Sequence, residues 1–324
     1  MSRVPRRQFL IASVALIVAP RTAAAQSAGK VARVGVLSAG PLSAMMFPRQ
    51  FPEALRESGY VEGQNIILEW RSAEGRREHL AELADELVRL KVDVIVTISN
   101  PETLVAKRAT TTIPIVMLAA TDPVGAGLVA SLARPGGNIT GRTFTSSETV
   151  AKQLEIFKET VPTLARVAYL RGEVRHPSTL EGLPAGARAL GLTLRDVRLP
   201  TDDVAGALEE VRSWRPDGLY VSAFVPVGQR DAIRKFALQH RLPTMVPIRG
   251  MVEAGFLMAY SPSAIEFAQR IAYYVDRILK GAKPADLPVE EPQRFALLIN
   301  LKTAKQIGLT IPRSALLRAD EVIE

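Results

Sequence analysis

From residue 33 onward the apolar positions fall into two kinds of run that alternate along the chain. Short unbroken apolar blocks, each closed by a small polar loop, read as buried strands. Stretches with apolar residues every third or fourth position read as helices. Strands are predicted at 33–38, 65–70, 92–98 and 113–118, with helices at 48–58, 80–88 and 102–109 between them. The clearest helix carries Leu80, Leu83, Ala84, Leu87 and Val88 at i, i+3, i+4, i+7, i+8 spacing. Such a β-α-β-α rhythm predicts a parallel sheet covered by helices on both faces. Around Pro135-Gly136-Gly137-Asn138 the chain turns, and the rhythm begins again. The second run has helices at 150–161, 204–214 and 227–240. Its strands are at 166–170, 192–198, 218–222, a short piece near Met245, and 256–260. A long helix at 264–280, a proline-rich segment at 284–292, a strand at 295–300 and a short helix ending at Gly308 complete the pattern. The expected fold class is α/β: two doubly wound parallel-sheet lobes joined by several crossings.

Composition narrows the function. The 324 residues suit two domains. The net charge of +8 is inflated by residues 1–25, which hold Arg3, Arg6, Arg7 and Arg21 and no acid. Without those four, 37 bases face 33 acids, a mildly basic surface and not a nucleic-acid footprint. There is no cysteine, so disulfides, thiolate metal sites and a thiol nucleophile are excluded. The three arginines near the start, the apolar run from Phe9 to Ala19 and the small residues Ala23-Ala24-Ala25 form a secretory signal, with cleavage expected before Gln26. The apolar run is too short to span a bilayer. Arg6-Arg7-Gln8-Phe9-Leu10 resembles a twin-arginine signal, with Pro5 where that motif usually carries Ser or Thr. A periplasmic location follows, and a lipid anchor is excluded because it needs a cysteine.

Longer motifs add to this reading. They are ATTTIPIVM (109–117), DPVGAGLV (122–129), SLARPGGNITG (131–141), ILKGAKPADLPV (278–289), INLKTAK (299–305), GLTIP (308–312) and RADEVI (318–323). Together these resemble the ABC transporter substrate-binding family that includes tryptophan and tyrosine binders, from about Val31 to the C-terminus. The resemblance implies a type I periplasmic-binding-protein fold, with three hinge crossings and a ligand cleft between the lobes. The expected division is a signal peptide at 1–25, one lobe from 30–143 with 261–289, and a second from 144–260 with 290–324. The implied partners are a small-molecule ligand and an ABC permease with its ATPase subunit; a monomer is expected, with no nucleic acid and no cofactor. Where the family often has a Gly-Thr-Pro-Ala-type turn, this chain reads Ile98-Ser99-Asn100-Pro101, so an aromatic amino acid is not assumed as ligand.

Ligands of open α/β sheets bind beyond the carboxyl ends of the strands, so the loops there supply the candidates. In the first lobe these are Ser38, Gly40, Ser99, Asn100, Thr121 and Asp122. Asp122 is placed for a ligand ammonium; Ser38, Asn100, Thr121 and the free N–H groups of the helix after Ser99 are placed for a carboxylate. Ser99, Asn100 and Asp122 are equally suited to be helix N-caps. The second lobe offers Arg171 and Arg249 as carboxylate clamps, Ser222, and Phe224 as a stacking surface. Catalytic patterns are thin: His79, His176 and His240 form no metal motif, and no nucleophile elbow or phosphate loop is present. The expected function is a solute-binding subunit of an importer and not an enzyme, capturing an amino acid or a small organic carboxylate. A ligand sensor of the same fold stays open, as does, less readily, an exported α/β enzyme.

Overall fold

The computed structural model describes residues 31–324, apart from 145, 174–176 and 201–202. The expected export signal, and with it His176, lies outside the described residues. The first sheet contains β1 (Ala32–Ser38), β2 (Ile66–Ser72), β3 (Val94–Thr97), β4 (Ile115–Ala120) and β5 (Ile139–Thr143), all parallel, in the order β2-β1-β3-β4-β5. Between them run α1 (Phe47–Glu57), α2 (Leu80–Arg89) and α3 (Asn100–Ala109). The strands are apolar on both faces because both are covered. α2 turns Leu80, Ala84 and Leu87 inward on one side. On the other side α1 packs Phe47 and Phe51, whose stacked rings lie 4.7 Å apart, beside Trp70.

The second lobe repeats the plan. Its strands are β6 (Arg166–Arg171), β7 (Thr193–Arg198), β8 (Gly218–Val221), β9 (Thr244–Val246), β10 (Met258–Pro262), β11 (Phe295–Asn300) and β12 (Glu321–Ile323). Their order is β12-β11-β10-β9-β8-β6-β7. β6 to β10 run parallel, whereas β11 is antiparallel to β10, so this sheet is not wholly parallel as the rhythm suggested. Helices α4 (Ser147–Thr160), α5 (Pro177–Leu190), α6 (Val204–Trp214), α7 (Val227–Gln239) and α8 (Arg249–Glu253) belong here. The next helix, α9 (Ala264–Leu279), packs Phe267, Ile271 and Val275 back into the first lobe's core, while α10 (Leu301–Ile307) and α11 (Arg313–Arg318) cover the second.

Sequence reading overlooked α5 because Gly182, Pro184 and Gly186 interrupt its pattern. Those glycines serve packing: a Cβ on Gly182 would lie 2.3 Å from the Ser147 carbonyl oxygen, so α5 meets α4 backbone to backbone. It also overlooked β5, β12, α8 and α11, all too short or too polar for a periodic signal.

The chain passes between the lobes after β5, between β10 and α9, and before β11. Close to these passages Arg142 is buried, 1% exposed, and donates to Glu266 Oε1 at 2.8 Å and to the Glu291 carbonyl. Its guanidinium lies over Phe267 at 4.6 Å, and its Nε and Nη1 have no hydrogen-bond partner among the described residues. Arg270 forks onto Glu290, whose backbone bridges to β5.

Candidate functional site

Both sheets reverse their strand order at one point, between β1 and β3 in the first and between β6 and β8 in the second. Chains leave adjacent strands in opposite directions at such a point, which opens a crevice beyond their carboxyl ends. Here a cleft of about 1040 Å³ is lined by the loops after β1, β2, β3 and β4 on one side and after β6 and β8 on the other.

The first wall is a frame of local hydrogen bonds. Ser99 and Glu102 have the spacing of a capping box at the start of α3, but the bonds run elsewhere. The Glu102 carboxylate, buried in the first turn, accepts the Ala39 N–H (2.7 Å) and the Ser99 hydroxyl (2.6 Å), tying the β1 loop to the β3 loop. Asn100 is spent on Thr121: its amide nitrogen donates to the Thr121 carbonyl (2.7 Å) and its Oδ1 accepts the Thr121 N–H (2.8 Å). Asp122 is a non-glycine residue at φ +43°. Its Oδ1 accepts the Gly125 N–H (2.9 Å), and a Cβ on Gly125 would fall 2.0 Å from its Oδ2, so a larger residue there would push this carboxylate aside. Asp122 therefore braces a tight turn, not a helix. The Thr121 hydroxyl is buried with no hydrogen-bond partner among the described residues.

The second wall is mostly apolar: Ala223, Phe224, Val225, Pro226 and Val227. Gly172 lets the β6 loop touch it, since a Cβ there would lie 2.8 Å from the Phe224 carbonyl oxygen. Arg230, in the first turn of α7, spans this loop from below. It donates through Nε to the Val225 carbonyl (3.2 Å) and through Nη2 to the Ala223 carbonyl (3.0 Å). Burial pulls its pKa below the ordinary arginine value.

Of the residues predicted from sequence, Gly40, Ser99, Asn100, Thr121, Asp122 and Phe224 line the cleft. Four are placed otherwise. Ser38 is fully buried beneath its loop and donates to the Gly40 carbonyl (2.8 Å). Ser222 is buried and accepts the Phe224 N–H (3.2 Å), so it shapes the loop from behind. Arg171 is no clamp: its Nε pairs with Asp196 at 2.6 Å on the neighbouring strand, and Nη1 holds the Gly172 carbonyl. Arg249 forks onto Glu321 with two 2.6 Å bonds and also pairs with Glu253. Both guanidiniums are already neutralised. At α3, Asn100 commits its Oδ1 and one of its two amide N–H groups to Thr121, and Glu102 sets a carboxylate beside the helix start, which makes that end less suited to an anion. Sequence reasoning missed Glu102, although the Ser-x-x-Glu spacing signals it. It also missed Glu74 and Arg77 after β2, and Arg230, for which no motif exists. Among the described residues, no group of three or more His, Cys, Asp or Glu is placed to hold a metal ion.

Comparison with known proteins agrees with this geometry. Residues 43–323 match the family described as ABC transporter substrate binding protein, and the chain belongs to that family of substrate-binding proteins. Its fold is the type I periplasmic-binding-protein fold. A crystal structure of a conserved domain protein from Vibrio cholerae is 30% identical, superposes with a TM-score of 0.83, and covers 90% of this chain and 100% of its own. An ABC domain from Streptococcus pneumoniae in complex with L-Trp is 29% identical with a TM-score of 0.82, covering 90% and 99%. A tyrosine-binding protein from Clostridioides difficile is 28% identical over 262 residues, 80% of this chain and 75% of that protein.

Proposed function

We propose that this chain is the exported solute-binding subunit of an ABC importer and that it captures an amino acid with an aromatic side chain in the cleft between its lobes. The observation that carries the reading is the pair of facing switch points, with an acid and a hydroxyl on one wall and Phe224 on the other. Asp122 keeps one carboxylate oxygen beyond its turn and suits an ammonium group; Phe224 is half-buried and offers a flat apolar surface. The L-Trp complex and the tyrosine-binding relative support the ligand class. In this reading the protein acts as a monomer, is cleaved near Ala25-Gln26, and delivers its ligand to a permease driven by a separate ATPase subunit. Its own work is differential affinity: the ligand favours whichever arrangement of the lobes it touches on both sides.

Calorimetric titration with L-tyrosine, L-tryptophan and the remaining amino acids tests it. One of these should bind at one site and be recovered unchanged. At 100 times its Kd it should raise stability by about 2.7 kcal/mol in a thermal scan. Asp122→Ala should weaken that binding by about 2–5 kcal/mol, as for truncation of a buried charge pair. Conversion of the ligand to product, or no binding by any amino acid, would end this reading.

A further inference from the structure

We propose that Arg230 is the anion-binding group of the cleft and holds the ligand's carboxylate on the second-lobe wall, so that a bound amino acid lies across the cleft with its ammonium toward Asp122. This rests on the reading of the cleft as an amino-acid site and reverses the polarity that the sequence suggested.

Arginines at this end of the second sheet are matched: Arg171 with Asp196, Arg198 with Glu173, Arg249 with Glu321. Arg230 lines the cleft and pairs with no carboxylate among the described residues. Its two hydrogen bonds go to neutral carbonyls of the loop after β8, which fix the guanidinium plane and leave Nη1 without an acceptor among the described residues. A half-buried cation with no counter-charge is costly unless something anionic reaches it.

The surroundings favour the same sign. α7 has no acidic residue in its first turn, and Pro226 supplies no side-chain cap. The N–H groups of Val227 and Gly228 therefore lack acceptors among the described residues, and the helix start adds a positive field beside Arg230. Glu173 also lines this side but is paired with Arg198. Across the cleft the order is opposite. Asp122 and Glu74 line the first wall, and Glu102 lies at the start of α3; Arg77 stands exposed at the rim. An anion at α3 would meet the Glu102 carboxylate, whereas an anion at α7 meets Arg230.

Carboxylate recognition is testable by removing the carboxylate charge from the ligand. L-tryptophan and L-tyrosine would be titrated against the protein beside L-tryptophanamide and L-tyrosinamide, which keep the ammonium and the ring. The wild type should prefer an acid over its amide by on the order of 100-fold. Arg230→Gln should bind acid and amide alike, at the level of the wild type with the amide. Arg230→Lys should retain part of the preference, and unliganded Arg230→Gln should still unfold in one cooperative transition. If acid and amide bind the wild type equally, or Arg230→Gln keeps the full preference, the carboxylate sits elsewhere and Arg230 only braces its loop; the amino-acid reading then survives. If neither acid nor amide binds the wild type, both proposals fall. Should Arg230→Gln not fold, the acid-to-amide ratios of the wild type and Arg230→Lys decide.

Discussion

The two walls of the cleft stand on sheets with the same core strand order, yet they use polar side chains in different ways. On the first wall Glu102, Asn100 and Asp122 are bonded within the wall itself: Glu102 to Ala39 and Ser99, Asn100 to Thr121, Asp122 to Gly125. On the second wall a run of apolar residues faces the cleft, and the polar groups behind it, Ser222 and Arg230, hold that run in place. The contrast separates two jobs that a list of cleft residues mixes. Apart from Asp122, which the proposed reading gives to the ligand, the first wall is a hydrogen-bonded frame whose loss should be felt in stability. In the proposed reading the second is the surface the ligand meets, and its loss should be felt in affinity.

The largest effect that would break this comparison is at Glu102. Glu102→Ala removes two hydrogen bonds to a buried carboxylate and should destabilise the unliganded protein by about 3 kcal/mol, read from urea unfolding. Less than about 1 kcal/mol would mean the loops hold without it. A smaller effect of the other kind is expected at Phe224. Phe224→Ala should weaken binding of L-tryptophan by about 1.5 kcal/mol, near tenfold in Kd, with little change in melting temperature. Lost stability at unchanged affinity would move Phe224 from the surface to the frame. The smallest change is predicted at Arg249, outside the cleft. Its fork to Glu321 is partly exposed, so Arg249→Ala should cost under about 1 kcal/mol of stability and leave affinity unchanged by calorimetry.

Much of the first wall was legible in the sequence because its loops follow strands that are unbroken apolar runs, and a loop after such a strand has a known place in an open sheet. Thr121 and Asp122 needed only that rule. The second wall resisted the same reading. Which arginine is neutralised depends on partners that strand pairing brings together: Asp196 reaches Arg171 from the next strand, and Glu321 reaches Arg249 across 72 residues. That no carboxylate among the described residues pairs with Arg230 has no sequence signature at all. α5 was hidden for a related reason, since the glycines that weaken its helical pattern are demanded by its contact with α4.

The buried cluster around Arg142 has a mechanical consequence. Arg142, Glu266 and the backbone of Glu291 come from the three segments that connect the lobes, and they meet on the first-lobe side of those segments. They act as a collar. Any turning of one lobe against the other would then take place beyond it, past Thr143, around Ser263 and after Glu291, where single backbone bonds such as Ser263 N–H to the Arg294 carbonyl (3.2 Å) hold the segments. A guanidinium at 1% exposure is also out of reach of mobile ions, so added salt should loosen rim pairs such as Arg198–Glu173 while leaving the collar as stiff as before. If the proposed ligand capture turns the lobes about these segments, the turning axis should stay the same across a wide range of ionic strength.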